Sequence, residues 1–258
     1  FEELKLYCDR LGIDFLSTPF DIESANFLND MMDVFKISSS DITNKPFIEH
    51  ICGFDKPIIL STGASYLYEI QEAVDWIDSA NLPVALLHCI LNYPTDDENA
   101  NLGMIKDLQK NFPDKVIGYS DHTLPNDMSV LEMAVIMGAS IIEKHFTFDK
   151  TLTGNDHYHS MDKNDLKIFN KNLDRLIKIL GSQKKYPLKS EEVSRKNARR
   201  SLVALKNIPK GLTITLNMIT WKRPASGISP VNINKLIGMT STKDILQDEI
   251  LQWTCFHE

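Results

Sequence analysis

Between Phe1 and Gly181 the chain repeats one unit: a short apolar run, a turn, then a stretch with helical apolar spacing. The runs predict strands near Ile13–Thr18, Val34–Ser39, Pro57–Thr62, Val84–Cys89, Val116–Ser120 and Ser140–Thr147. Helical patterns fall at Glu23–Met31, Pro46–Gly53, Tyr66–Ala80, Leu102–Asn111 and Met128–Met137, with a longer one from Asp162 to Leu180. Strands alternating with helices predict an α/β fold with a parallel sheet. The runs Pro-Ile-Ile-Leu and Val-Ala-Leu-Leu are apolar throughout, as strands covered on both faces must be.

An open doubly wound sheet and a closed barrel both fit this alternation. No GxGxxG motif marks a dinucleotide-binding first turn. Polar residues instead crowd the C-terminal end of every strand: Ser17-Thr18, Ser38-Ser39-Ser40, Ser61-Thr62, His88, Ser120-Asp121-His122 and His145-Phe146-Thr147. A TIM (β/α)₈ barrel builds its site there from many strands, whereas an open sheet uses one switch point. Six strands are two short of eight. Phe1–Leu11 reads as an uncapped amphipathic helix, so about two N-terminal βα units are expected upstream.

Residues 182–200 are polar and basic and read as a linker between a barrel at 1–181 and a small β-rich domain at 201–258. The net charge of −7 disfavours nucleic acid and anionic membrane as partners. No apolar run reaches the roughly 20 residues of a membrane helix. Four scattered cysteines without a CxxC pair suggest reduced thiols and a cytoplasmic setting.

His122 and His145 end adjacent strands about one βα unit apart, so their imidazoles can meet and hold Mn, Fe, Co or Zn with positions left open. Glu143 shares a face with His145 by the two-residue period and could ligate or orient. Lys36 enters an otherwise apolar strand ahead of three serines, and its burial needs a partner. With Thr18, Ser39, Ser61 and Ser120 it could hold a phosphate or carboxylate. In the loop after the last strand, Asp156 is a candidate general base or hydroxyl-binding group. His157 and His159 are set aside as ligands, because their spacing in a loop is a weak metal signature.

These pieces, in order, resemble the sialic acid synthase family, including legionaminate and pseudaminate synthases. The likeness runs through Ser17-Thr18-Pro19-Phe20, Phe35-Lys36-Ile37-Ser38-Ser39, Lys56 to Gly63, Leu87-His88-Cys89 with Tyr93-Pro94, Ile117 to Thr123, and Glu143 to Thr147. Arg200 to Ala204 and Lys222-Arg223-Pro224 resemble the family's C-terminal antifreeze-like (SAF) domain. The resemblance implies condensation of phosphoenolpyruvate with an N-acetylated amino-sugar aldehyde, giving a nine-carbon 2-keto acid and phosphate. It implies a divalent metal on His122 and His145, Mn²⁺ first, with Mg²⁺ or Co²⁺ as alternatives. It assigns Thr18, Lys36, Ser39, Ser61 and Ser120 to phosphoenolpyruvate, and Phe20, Asp41, Tyr93 and Asp156 to the amino sugar. Arg223 would reach the partner's site in a domain-swapped homodimer. Three positions depart from the family pattern: Leu91 (often polar there), Asn155 before Asp156, and Ala225 after Arg223-Pro224. The rivals are another phosphoenolpyruvate-condensing or aldolase-type barrel, which lacks the SAF domain, and a non-catalytic binding protein on the same fold.

Overall fold

A computed structural model describes residues 1–258 and divides into two compact units, Phe1–Gly181 and Ser182–Glu258. In the first, strands β1 (Phe35–Ile37), β2 (Ile58–Ser61), β3 (Val84–Cys89), β4 (Val116–Asp121) and β5 (Ile142–Lys144) form one sheet in chain order. Every pair is parallel. Helices α1 (Glu2–Leu11), α2 (Ile22–Asn29), α3 (Lys45–Cys52), α4 (Leu67–Ser79), α5 (Met104–Asn111), α6 (Ser129–Ile136) and α7 (Lys163–Leu180) precede, connect and follow the strands.

The two-residue period sorts the side chains. Phe35, Ile37, Ile58, Leu60, Val84, Leu86, Ile117 and Tyr119 enter the core with Ile48, Ile51, Ala73, Ile77, Ile105 and Ala134 of the helices. The intervening residues share the opposite face: Lys36, Ile59, Ser61, Ala85, Leu87, Cys89, Gly118, Ser120 and Glu143. In register, Ser61 stands beside Leu87, Leu87 beside Gly118, and Cys89 beside Ser120, which stands beside Glu143. Gly118 is required by crowding. A Cβ there would lie 2.6 Å from the Ile141 carbonyl oxygen and would also collide with Leu87 Cδ2. Gly118→Ala is expected to cost about 1–3 kcal/mol, read as a lower urea midpoint at unchanged slope.

Local signals fix the helix ends. Asp21 Oδ1 accepts from Ser24 N at 2.7 Å to start α2. Asp162 and Asp165 cap each other's backbone N–H groups at the head of α7. Gly12, at φ 69°, closes α1 in the left-handed region. No helix is long and apolar enough to cross a membrane.

Two sequence expectations change here. Residues 13–18 form no strand; Ser17 N donates to Met32 Sδ at 3.0 Å, and β1 has a ladder partner only in β2. An apolar run becomes a strand only when a neighbour supplies the matching backbone groups. The stretch 182–200 is also more ordered than a solvated linker, since it contains α8 (Glu192–Ala198). That helix belongs to the second unit, where the Ala225 amide donates to the Lys196 carbonyl at 2.8 Å.

The second unit pairs β6 (Ser201–Ala204) with β7 (Ile219–Lys222) and β8 (Thr240–Ser241) with β9 (Phe256–His257), all antiparallel, and adds the one-turn α9 (Ile233–Leu236). Its own core contains Leu202, Ile208, Ile214, Ile228, Leu236, Ile245 and Leu251.

Candidate active site

At the C-terminal ends of the five strands lies a cleft of about 120 Å³. Its lining includes Thr18, Phe20, Lys36, Ser39, Ser61, Tyr93, Ser120, His122 and His145, together with Ser38, Cys89, Leu91 and Glu143. One sequential sheet therefore gathers residues from far apart in the chain, because each strand delivers its last polar residue to the same rim.

Lys36 is 5% exposed, and its ammonium lies 3.5 Å from Glu143 Oε2. Glu143 Oε1 accepts from the Ser120 hydroxyl at 2.7 Å. The carboxylate thus offsets the burial of the ammonium and takes the proton of the Ser120 hydroxyl on the neighbouring strand. Ser39 Oγ accepts from the Gly63 amide at 2.9 Å, which ties the β1 rim to the β2 rim. Ser61 Oγ is buried with no hydrogen-bond partner. An orphan hydroxyl in the same cleft as a buried ammonium is chemistry suited to an anion's oxygen.

His122 and His145 converge, their ring centroids 5.2 Å apart. His122 Nδ1 donates to the Ile90 carbonyl at 2.7 Å. A carbonyl only accepts, so the proton sits on Nδ1 and Nε2 keeps its lone pair. Burial pushes both imidazoles below their ordinary pKa, so they stand neutral, the state a metal ligand needs. Tyr93 packs against both, with its ring 4.0 Å from His122 and 5.8 Å from His145.

A buried ion pair joins the two strand ends that carry these rings. Asp121 Oδ2 lies 2.6 Å from Lys144 Nζ, with both side chains 1% exposed. Asp121 also accepts from the Tyr119 hydroxyl at 2.8 Å and from the Thr123 amide at 3.0 Å. Lys144 donates to the Thr123 carbonyl as well. The pair crosses from β4 to β5 in register, one residue before each histidine.

The loop after β5 folds back on itself. Thr147 N donates to the Met161 carbonyl at 2.8 Å, and Met161 N to the His145 carbonyl at 2.9 Å, so the loop is pinned at its base. Asp156 Oδ2 comes within 3.8 Å of His145 Nδ1. His159, set aside on sequence grounds, lies wholly buried with its ring 5.2 Å from His145. His-x-His in a loop gives no facial signal; only the pinned fold-back brings His159 under His145.

Asp41 accepts from Asn44 Nδ2 at 3.1 Å and from Ser40 Oγ at 3.2 Å, bonds within its own turn, and neither it nor Asp156 is among the residues that line the cleft. Arg223 belongs to the second unit, where it is exposed just after β7. Leu91 lines the cleft at the position where the family often carries a polar group, while the neighbouring Asn92 uses its carbonyl to accept from Thr95 Oγ1 at 2.9 Å.

The NeuB family model matches residues 1–185, and the SAF domain model matches residues 199–256. The chain belongs to the NeuB family. Among its relatives, N,N'-diacetyllegionaminic acid synthase of Campylobacter jejuni is 39% identical over 97% of this chain and 75% of its own length. N-acetylneuraminate-9-phosphate synthase of Mus musculus is 32% identical over 96% of this chain and 69% of its own. A solved structure of N-acetylneuraminic acid synthetase from Leptospira borgpetersenii is 36% identical, with a TM-score of 0.69, over 75% of this chain and 68% of that one. The named relatives are synthases, and this NeuB-family chain is an enzyme of that class, a transferase of the sialic-acid-synthase type. The SAF match sets it apart from barrels that lack such a domain.

Proposed function

We propose that the protein condenses phosphoenolpyruvate with the open-chain aldehyde of an N-acetylated amino sugar in a cleft that also takes a divalent cation. The observation that carries this reading is the meeting of two neutral imidazoles with a buried ammonium and an orphan hydroxyl in one cleft. The donor set fits such a cation, because neutral imidazoles beside a carboxylate suit Mn²⁺ or Co²⁺. Held by His122 and His145, such a cation would supply Lewis-acid polarisation of the aldehyde carbonyl.

The chain's own residues supply the rest. Lys36 and the hydroxyls of Thr18, Ser39, Ser61 and Ser120 hold the phosphate and carboxylate of phosphoenolpyruvate and offset their charge. Glu143 tethers Lys36 and Ser120 in the cleft until the anion replaces it as their partner. C3 of phosphoenolpyruvate bonds to the aldehyde carbon, whose oxygen takes a proton. Water adds at C2, phosphate leaves, and C2 becomes the ketone. Asp156, on the exposed side, binds a sugar hydroxyl or accepts a proton, and Phe20 and Tyr93 flank the sugar. The more similar named relatives make N,N'-diacetyllegionaminic acid, which favours a diacetamido hexose over N-acetylmannosamine or its 6-phosphate.

The reading takes the five-stranded sheet as part of a (β/α)₈ barrel, because all five strands contribute at one mouth. It includes a homodimer in which Arg223 serves the partner subunit. The direct test is phosphate release from phosphoenolpyruvate with each of the three sugars, before and after chelation. Release should need both a sugar and Mn²⁺; release with neither dependence would discard the proposal. Lys36→Met should raise the KM for phosphoenolpyruvate by about 10–100-fold, the loss of a charge-assisted contact, while leaving the sugar KM nearly unchanged.

A further inference from the structure

We infer that Gly63 is a positioning residue for phosphoenolpyruvate: its amide fixes the Ser39 hydroxyl, and its missing side chain leaves the room that hydroxyl occupies. This rests on the phosphoenolpyruvate reading above. Gly63 is buried just beyond the end of β2. Thr62 before it still donates its amide to the Leu87 carbonyl, but the Gly63 amide has left the sheet and donates to Ser39 Oγ at 2.9 Å. A buried backbone N–H needs a partner, and Ser39 is the one it has. Space makes a second demand. A Cβ at position 63 would lie 2.9 Å from Ser39 Oγ and 3.2 Å from Cys89 Sγ. Gly63 is not among the residues of positive φ, so its backbone conformation does not call for glycine. The close approach of Ser39 does.

The same bond decides what the hydroxyl can do. A serine hydroxyl has one proton to give and lone pairs with which to receive. Ser39 receives from Gly63, so its proton remains available, and a hydroxyl that already receives a bond donates a stronger one. Ser120 and Ser61 stand differently. Ser120 donates to Glu143 Oε1 at 2.7 Å, while Ser61 Oγ has no partner to hold it. Ser39 is therefore held by the main chain with its proton free, in the cleft that also contains the Lys36 ammonium. A fixed donor beside a cation holds an anionic oxygen more tightly than a free rotor does, because less motion is lost on binding. Gly63 does not line the cleft, so it acts through Ser39.

Phosphoenolpyruvate binding is measured by calorimetry in Mn²⁺ buffer for the unaltered protein, Gly63→Ala, Ser39→Ala and the double variant, with Tm followed in parallel. Each single variant should bind phosphoenolpyruvate about 10–100-fold more weakly, the scale of one hydrogen bond to a charged group. The double variant should match Ser39→Ala within about twofold, because residue 63 reaches the ligand only through Ser39. A glycine needed only for packing would lower the Tm of Gly63→Ala while its folded form bound phosphoenolpyruvate as the parent does, and that result overturns the inference. Additive losses in the double variant overturn it as well. Should Gly63→Ala not fold, the double variant should, since Ser39 Oγ is the nearest obstruction to a Cβ. A double variant that also fails to fold, or Ser39→Ala binding as tightly as the parent, overturns the inference and leaves the reading beneath it standing. Absence of phosphoenolpyruvate binding in the unaltered protein overturns both.

Discussion

His122→Ala and His145→Ala should each reduce phosphate release from phosphoenolpyruvate by at least about a thousandfold, with far-UV circular dichroism unchanged. The reduction corresponds to several kcal/mol of lost stabilisation of developing charge, the scale expected when a Lewis acid leaves a site. His122 has its Nδ1 proton committed to the Ile90 carbonyl and only Nε2 to offer, while His145 stands between His122 and the loop residues. The variants should also lose Mn²⁺ binding in a calorimetric titration, which separates loss of metal from loss of substrate. Near-normal turnover in either variant would remove the cation site from the mechanism.

The largest stability effect is expected at Asp121. In Asp121→Ala the Lys144 ammonium stays 1% exposed without its carboxylate, and the Tyr119 hydroxyl and Thr123 amide lose their acceptor. Removing one partner of a buried pair costs about 3–5 kcal/mol. That should appear as a fall in Tm of about 6–20 °C in a chain of this size. Replacing both partners, as in Asp121→Leu with Lys144→Met, should recover much of the loss, because no charge is then left buried. A single variant as stable as the parent would show that solvent reaches the pair.

What the sequence carries and what it leaves out follows the range of the interaction concerned. The span Val84–Cys89 is a strand as read, since an apolar run bounded by Pro83 is a local signal sufficient to define it. The Ile13–Thr18 run has equal local quality but no ladder, because pairing belongs to a neighbour and not to the run. The same distinction applies to the site. Strand-end residues such as Ser61 and His145 are legible, because one rule places them all at the rim. Glu143 beside Lys36 follows from alternation across several strands. His159 does not, since its position depends on two backbone hydrogen bonds that close the loop. The helix Glu192–Ala198 is hidden in sequence by its charge, which suits a solvent-facing helix as well as a linker.

The loop pinned between Thr147 and Met161 has a consequence for how such a catalyst can diversify. Its stem bonds are made by main-chain atoms, so the exposed residues Leu152 to Asn155 between them can be exchanged without altering those two bonds. The groups suited to phosphate, on Lys36, Ser39, Ser61 and Ser120, come from other parts of the sheet. In the proposed reaction, substrate preference can therefore drift at Leu152 to Asn155 while the half common to every co-substrate stays chemically constant.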